Sequence, residues 1–215
     1  SSLDAHGVKQ QILDSLYERA EHVEHVTVRS EPEVSLVDAL TVQCKDAGCQ
    51  VVLAVGGGSV IDVGKAVAAL ARNDGASIDY LEDVGRGLAR PVRNEPLAVV
   101  AVPTTAGSGS EVTRNSVLKV PELKVKRSLR SDLMIPKIAL VDPSLTDSCP
   151  SKVTADSGID ALTHAIEGYV TPGAWDLSDA LCLRSIQMIA ANLARAADGD
   201  PDAVEKMGLA AYVNG

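Results

Sequence analysis

Residues 50–66 read QVVLAVGGGSVIDVGKA. An apolar run, Val51 to Val55, meets Gly56-Gly57-Gly58 and then Ser59. Beyond it, Val60, Ile61, Gly64 and Ala68 recur at helical spacing around Asp62 and Lys65. The pattern reads as a buried strand, a glycine turn and a helix start. Such a turn has two readings. It is either a plain bend or an anion cradle, because the free N–H groups and dipole of a helix start favour negative charge and glycine lets a phosphate approach. The common nucleotide fingerprints are absent. A G-x-x-x-x-G-K-[ST] loop ending at Gly64-Lys65 would need glycine where Ser59 stands and a hydroxyl residue where Ala66 stands; G-x-G-x-x-G from Gly56 would need glycine at Ile61.

Composition narrows the classes. The chain has 215 residues, 46% of them hydrophobic, so a packed core is expected. Aromatics are 2% with no Phe, which removes base stacking as a binding mode. A net charge of -9 argues against nucleic acid as a partner. Cys44, Cys49, Cys149 and Cys182 are scattered without a CxxC, so a reducing, cytoplasmic setting is expected. No apolar stretch reaches ~18 residues, and no signal peptide opens the chain, so no membrane partner is expected.

Along the chain, residues 5–20 read as a helix with Val8, Ile12, Leu16 and Tyr17 near one stripe, followed by a short strand at His25–Val28. A doubly wound domain normally opens on a strand, so one is expected upstream of Ser1. His22 and His25 with Glu21 and Glu24 read as solvated surface. Residues 35–48 form a helix that Gly48 terminates. The opening strand and a helix to about Arg72 follow, then an irregular stretch over 76–96 and a second apolar strand, Leu97–Val102. That strand runs into PTTAGSGSEVT at 103–113. Strand–helix alternation with unbroken apolar strands implies a parallel sheet covered on both faces, with ligands at the carboxyl edge of the strands. The loops at 56–59 and 104–110 both belong to that edge. The second is either part of an anion site or an ordinary connection rich in turn formers. Residues 114–130 read as a hairpin, Lys124 and Lys126 lying on one strand face, and Ile138–Val141 as a third apolar strand.

Past Pro150 the pattern turns to helices alone, over 152–169, 177–196 and 201–213. A domain boundary is expected near 148–151, giving an α/β domain over 1–149 and the start of an all-α domain over 150–215. The last helix breaks off at Asn214-Gly215, which reads as an interruption. Within GIDALTHAIEG at 158–168, Asp160 and His164 are four apart on one helix face and Glu167 is three further on. They are either a surface pair or half of a divalent-metal site, which needs at least one more protein ligand. The other histidines, His6, His22 and His25, fall in the first domain.

GGGSVIDVGKA at 56–66, PTTAGSGSEVT at 103–113, DPSLT at 142–146 and GIDALTHAIEGYV at 158–170, in that order and spacing, resemble the iron-containing (group III) alcohol dehydrogenases. The resemblance covers nearly the whole chain. It implies a dehydroquinate synthase-like fold: a nucleotide-binding α/β domain and a helical metal-binding domain, apparently truncated here. It implies NAD or NADP, and Fe²⁺ with Zn²⁺ as the other candidate. It implies that Gly57, Gly58 and Ser59 meet the pyrophosphate beside Asp62, that Thr104, Thr105, Ser108 and Thr113 line the nicotinamide and ribose, and that Lys126 reaches the ribose or a phosphate. Asp160 and His164 become the first two metal ligands, with two later histidines beyond Gly215.

The activity so implied is hydride transfer between NAD(P) and a small alcohol or aldehyde, the metal polarising the substrate oxygen, in a cytoplasmic homo-oligomer, a dimer. No general acid or base is assigned. Two rivals stand beside it: a metal-independent reductase of the maleylacetate type, and a non-catalytic nucleotide-binding fragment. Pro32-Glu33-Val34 departs from the family's Pro-Asn-Pro turn near the adenosine.

Overall fold

The computed structural model describes residues 7–85, 87–147 and 149–214. His6 and the start of the 5–20 helix, Ser148 at the expected boundary, and Gly215 lie outside them. The chain forms two compact units. One comprises Val28–Pro103 and Ser110–Leu140; the other takes residues before 28, the segment Thr104–Gly109 and residues from 141 onward.

The first unit is α/β. Helix α2, Val34–Asp46, leads into strand β1, Val51–Gly56. Its end is a Schellman turn: Gly48 N–H donates to the Lys45 carbonyl at 3.0 Å and Cys49 N–H to the Cys44 carbonyl at 3.1 Å. Gly48 supplies the φ of 63° that this turn requires. Helix α3, Gly58–Leu70, returns the chain to β2, Ala98–Pro103, which pairs parallel to β1 with Gly56 opposite Pro103. A short β5, Ile138–Ala139, adds to the far side of β2. Between them β3, Asn115–Val120, and β4, Val125–Arg130, make the antiparallel hairpin.

The strand–helix–strand unit buries α3 against one sheet face. A Cβ on Gly64 would lie 2.9 Å from the Ala54 Cβ, so the helix approaches β1 more closely than any side chain permits. Val37, Leu70, Leu81, Leu118 and Leu129 are buried in the core around it, each fully buried Leu contributing about 1.5–3 kcal/mol.

Three expectations need correction. Helical cover on both faces is met on one only within this unit: Val51, Leu53, Ile138 and Leu140 share the opposite face and are exposed. Lys124 is not on a strand face but in the turn, with φ 55°, behind the 3-10 turn Pro121–Leu123. His25–Val28 is irregular, since no neighbouring strand among the described residues takes up its N–H and C=O groups.

In the second unit, α1, Val8–Tyr17, buries none of its residues, so the expected stripe has no core to enter. Helices α4, Ser151–Val170, α5, Asp176–Ala197, and α6, Pro201–Asn214, pack on one another around Ala161, Ile189, Met207 and Ala210. No helix among the described residues is long and apolar enough to cross a membrane.

Candidate functional site

At the carboxyl edge of β1, Gly57 is the N-cap of α3, in an extended conformation with φ -72° and ψ 178°. No side chain caps the helix and no acidic residue stands in its first turn. Gly57 offers its carbonyl to the N–H groups of Val60 and Ile61. The opening N–H groups at Gly58 and Ser59 precede any intrahelical partner, and the positive end of the dipole is uncompensated there. This donor set fits an anionic diphosphate.

One turn further, Asp62 is committed to the protein. Its Oδ1 accepts from Ser110 Oγ at 2.5 Å and its Oδ2 from the Val117 N–H at 3.0 Å. Its carbonyl accepts from Ser116 Oγ at 2.8 Å. Lys65, three residues on, is wholly buried. Its Nζ lies 3.3 Å from Asp62 Oδ1 and donates to the Ser110 carbonyl at 2.8 Å and to Thr113 Oγ1 at 3.1 Å. Burial holds the Lys65 ammonium below its ordinary pKa, against the pull of Asp62 and Glu111. Burial pushes the Glu111 carboxyl up, opposed by its own backbone N–H and by Lys65. Asp62 and Lys65 therefore pin residues 110–117 to α3, and Thr113 hangs from that pin.

Asp62 and Thr113, which the resemblance names as cofactor contacts, meet here in one network with Lys65 and Glu111, to which the sequence alone assigns no role. The available signal was a lysine inside the small apolar run Val63 to Leu70, where only a paired charge is tolerated.

On the hairpin, Lys126 meets the Glu31 carboxylate. Lys119, its cross-strand neighbour, lies 3.2 Å from Glu33 and 3.9 Å from Glu31. The hydrogen bond from Lys126, then the charges of Lys126 and Lys119, hold the Glu31 carboxyl below its usual range. No local signal marks Glu31 for this contact, because Lys126 lies ninety-five residues away.

In the helical unit, Thr104 is buried and its carbonyl accepts from Cys149 Sγ at 3.1 Å; Thr105 and Ser108 are half-buried. On α4, His164 Nε2 and Asp160 Oδ1 stand 3.8 Å apart, both side chains half-exposed. An imidazole and a carboxylate on one helix face fit half the donor set of a divalent transition metal. Glu167 is exposed on the following turn. Among the described residues no group of three or more His, Cys, Asp or Glu side chains gathers to complete the set. His22 bonds Glu24 at 2.8 Å on the surface, as read.

Two family descriptions match the chain: iron-containing alcohol dehydrogenase over residues 1–143, and the C-terminal region of the Fe-containing alcohol dehydrogenase family over residues 154–215. A lactaldehyde reductase of Escherichia coli is 39% identical over 172 residues, 80% of this chain and 44% of that protein. An alcohol dehydrogenase of Thermococcus barophilus is 32% identical over 216 residues, 100% of this chain and 57% of that one. The crystal structure of a sulfoacetaldehyde reductase from Bifidobacterium kashiwanohense in complex with NAD+ superposes with a TM-score of 0.88 at 34% identity, covering 99% of this chain and 55% of the other. The chain thus spans about half the length of the curated relatives it matches.

Proposed function

The chain belongs to the iron-containing alcohol dehydrogenase family, and from that premise we propose that the whole protein transfers a hydride between NAD(P) and a small alcohol or aldehyde. The observation that carries the reading is the start of α3: a helix opened by glycines, capped by no side chain, at the carboxyl edge of a parallel β1–β2 pair. In this reading the N–H groups of Gly58 and Ser59 hold the pyrophosphate, and Gly57 keeps the backbone low enough for it to approach.

In this reading Asp62 stands beside the pyrophosphate, and with Lys65 it fixes the segment that carries Thr113. Thr113 and Lys126 then contact ribose or phosphate oxygens, and Thr104, Thr105 and Ser108 the nicotinamide side. Asp160 and His164 hold a divalent metal, Fe²⁺ or Zn²⁺, with further ligands from elsewhere in the protein. When bound, the metal supplies a Lewis acid for the substrate oxygen and the nicotinamide supplies or takes the hydride. We assign residues 1–149 to the nucleotide-binding domain and 150–215 to the start of the metal-binding one.

The direct test is calorimetric titration of Gly58→Val in the full-length protein with NAD+ and NADP+. A side chain at the first helical position fills the pyrophosphate space, so binding is lost while the melting temperature moves little. Unchanged affinity would show the turn to be only structural.

A further inference from the structure

The charged group at the start of α2 has a place in the fold that bears on the choice of dinucleotide. Helix α2 feeds β1 through four residues, so its C-terminus lies at the amino end of β1. Its N-terminus therefore lies toward the carboxyl edge, where α3 also begins. The hairpin is tied to that same start, since Lys119 N–H donates to the Pro32 carbonyl at 2.7 Å and Glu33 bridges to Lys119.

Lys119 and Lys126 are directly opposite each other across β3 and β4. Two like charges so placed repel. Left alone, they would make a cationic patch suited to an additional phosphate group. Glu31 removes that patch. It touches Lys126 and reaches Lys119, while Glu33 takes the other side of Lys119. Two lysines meet two glutamates, and the local charge sums to zero. The side chains are about half exposed, so the carboxylates remain as fixed negative charges that an incoming anion meets.

We infer that Glu31 is a specificity-determining residue, which neutralises the Lys119–Lys126 pair and so disfavours the dinucleotide that carries a 2′-phosphate. The inference rests on the reading that this sheet edge holds a dinucleotide. Glu31 acts through charge and through Lys126, without contributing to the pyrophosphate cradle. The 2′-phosphate monoester adds nearly two negative charges at neutral pH, and a neighbouring carboxylate opposes it more than it opposes a bare ribose hydroxyl. A ribose hydroxyl, by contrast, can donate to a carboxylate.

The test is equilibrium titration of the full-length protein, wild type, Glu31→Gln and Lys126→Met, with NAD+ and NADP+ in low and high salt. The wild type favours NAD+. Glu31→Gln tightens NADP+ about fivefold and leaves NAD+ within a factor of about two, as expected of a half-exposed charge pair. The gain shrinks in about 0.5 M NaCl, where exposed charges are screened beyond a few ångströms. Adding Lys126→Met to Glu31→Gln cancels the gain. Because Glu31 is half-exposed and its removal leaves no buried charge, the melting temperature of Glu31→Gln stays near that of the wild type. An unchanged NADP+ to NAD+ ratio in Glu31→Gln, with the wild type still binding NAD+, overturns the inference alone. A wild type that binds neither dinucleotide overturns both it and the reading beneath it.

Discussion

Lys65 Nζ and Asp62 Oδ1 stand 3.3 Å apart on successive turns of one helix, and the lysine side chain has no exposure to solvent. Between them they organise the segment from Ser110 to Val117. A buried ion pair is weak evidence for stability as such, but removing one partner strands the other. Asp62→Asn and Lys65→Met are each expected to cost about 3 kcal/mol, read as a melting temperature lower by roughly 6–12 °C in a chain of this size. The double variant should cost less than the sum by at least about 1 kcal/mol, because the partners share one network. Strict additivity in the cycle would show that the two side chains act separately.

Glu111 sits beside this network, buried, with its carboxyl pushed above 4.5, first of all by desolvation. A carboxyl whose folded pKa is raised favours the protonated folded state. Its contribution is present below its unfolded pKa and is lost as pH rises through the folded value. Glu111→Gln keeps the group neutral at every pH. The variant should match the wild type near pH 4.5 and be at least as stable at pH 7–8, so that thermal melts across that range diverge upward. A variant less stable at pH 7 would mean that the attraction between Glu111 and Lys65 outweighs the desolvation.

The contrast between legible and hidden features follows from range. The strand, turn and helix of residues 51–70 are legible in the sequence because apolar period and glycine punctuation are local signals. Gly48 as a helix stop and the three late helices are legible for the same reason. Pairings over long sequence separations are not. Nothing near Glu31 announces Lys126, ninety-five residues away, and nothing near Lys65 announces the Ser110 carbonyl. His25–Val28 failed in the opposite direction: its composition suits a strand, but a strand needs a partner. The exposed face at Val51, Leu53, Ile138 and Leu140 shows the same thing, since the sequence states a demand for cover without saying what meets it.

The Asp160–His164 pair separates a metal ligand from a structural contact by its exposure. At 3.8 Å and half in solvent, an Asp–His pair contributes at most about 1 kcal/mol. His164→Ala and Asp160→Ala should therefore leave the melting temperature of the metal-free protein nearly unchanged. In the full-length protein reconstituted with Fe²⁺ or Zn²⁺, each should lower bound metal by tenfold or more at fixed free concentration, by the ligand-loss argument. Equal metal content in the variants, by elemental analysis, would return the pair to the surface.

Cys44 closes helix α2 from inside the core, three residues before the cap Ala47. Burial first, and then Cys49 nearby, raise its thiol from 9.0 to about 11. The thiolate is the nucleophile, so Cys44 should resist iodoacetamide at pH 7.5 in the native protein and react at an ordinary rate only in denaturant. The linked stability runs the same way. A folded pKa above the unfolded one contributes stability that is intact below about pH 9 and is lost as pH climbs toward 11. Cys44→Ala removes the titration, so its melting temperature should fall less steeply than that of the wild type across this window. Parallel slopes for the two proteins would place the alkaline loss of stability elsewhere in the fold.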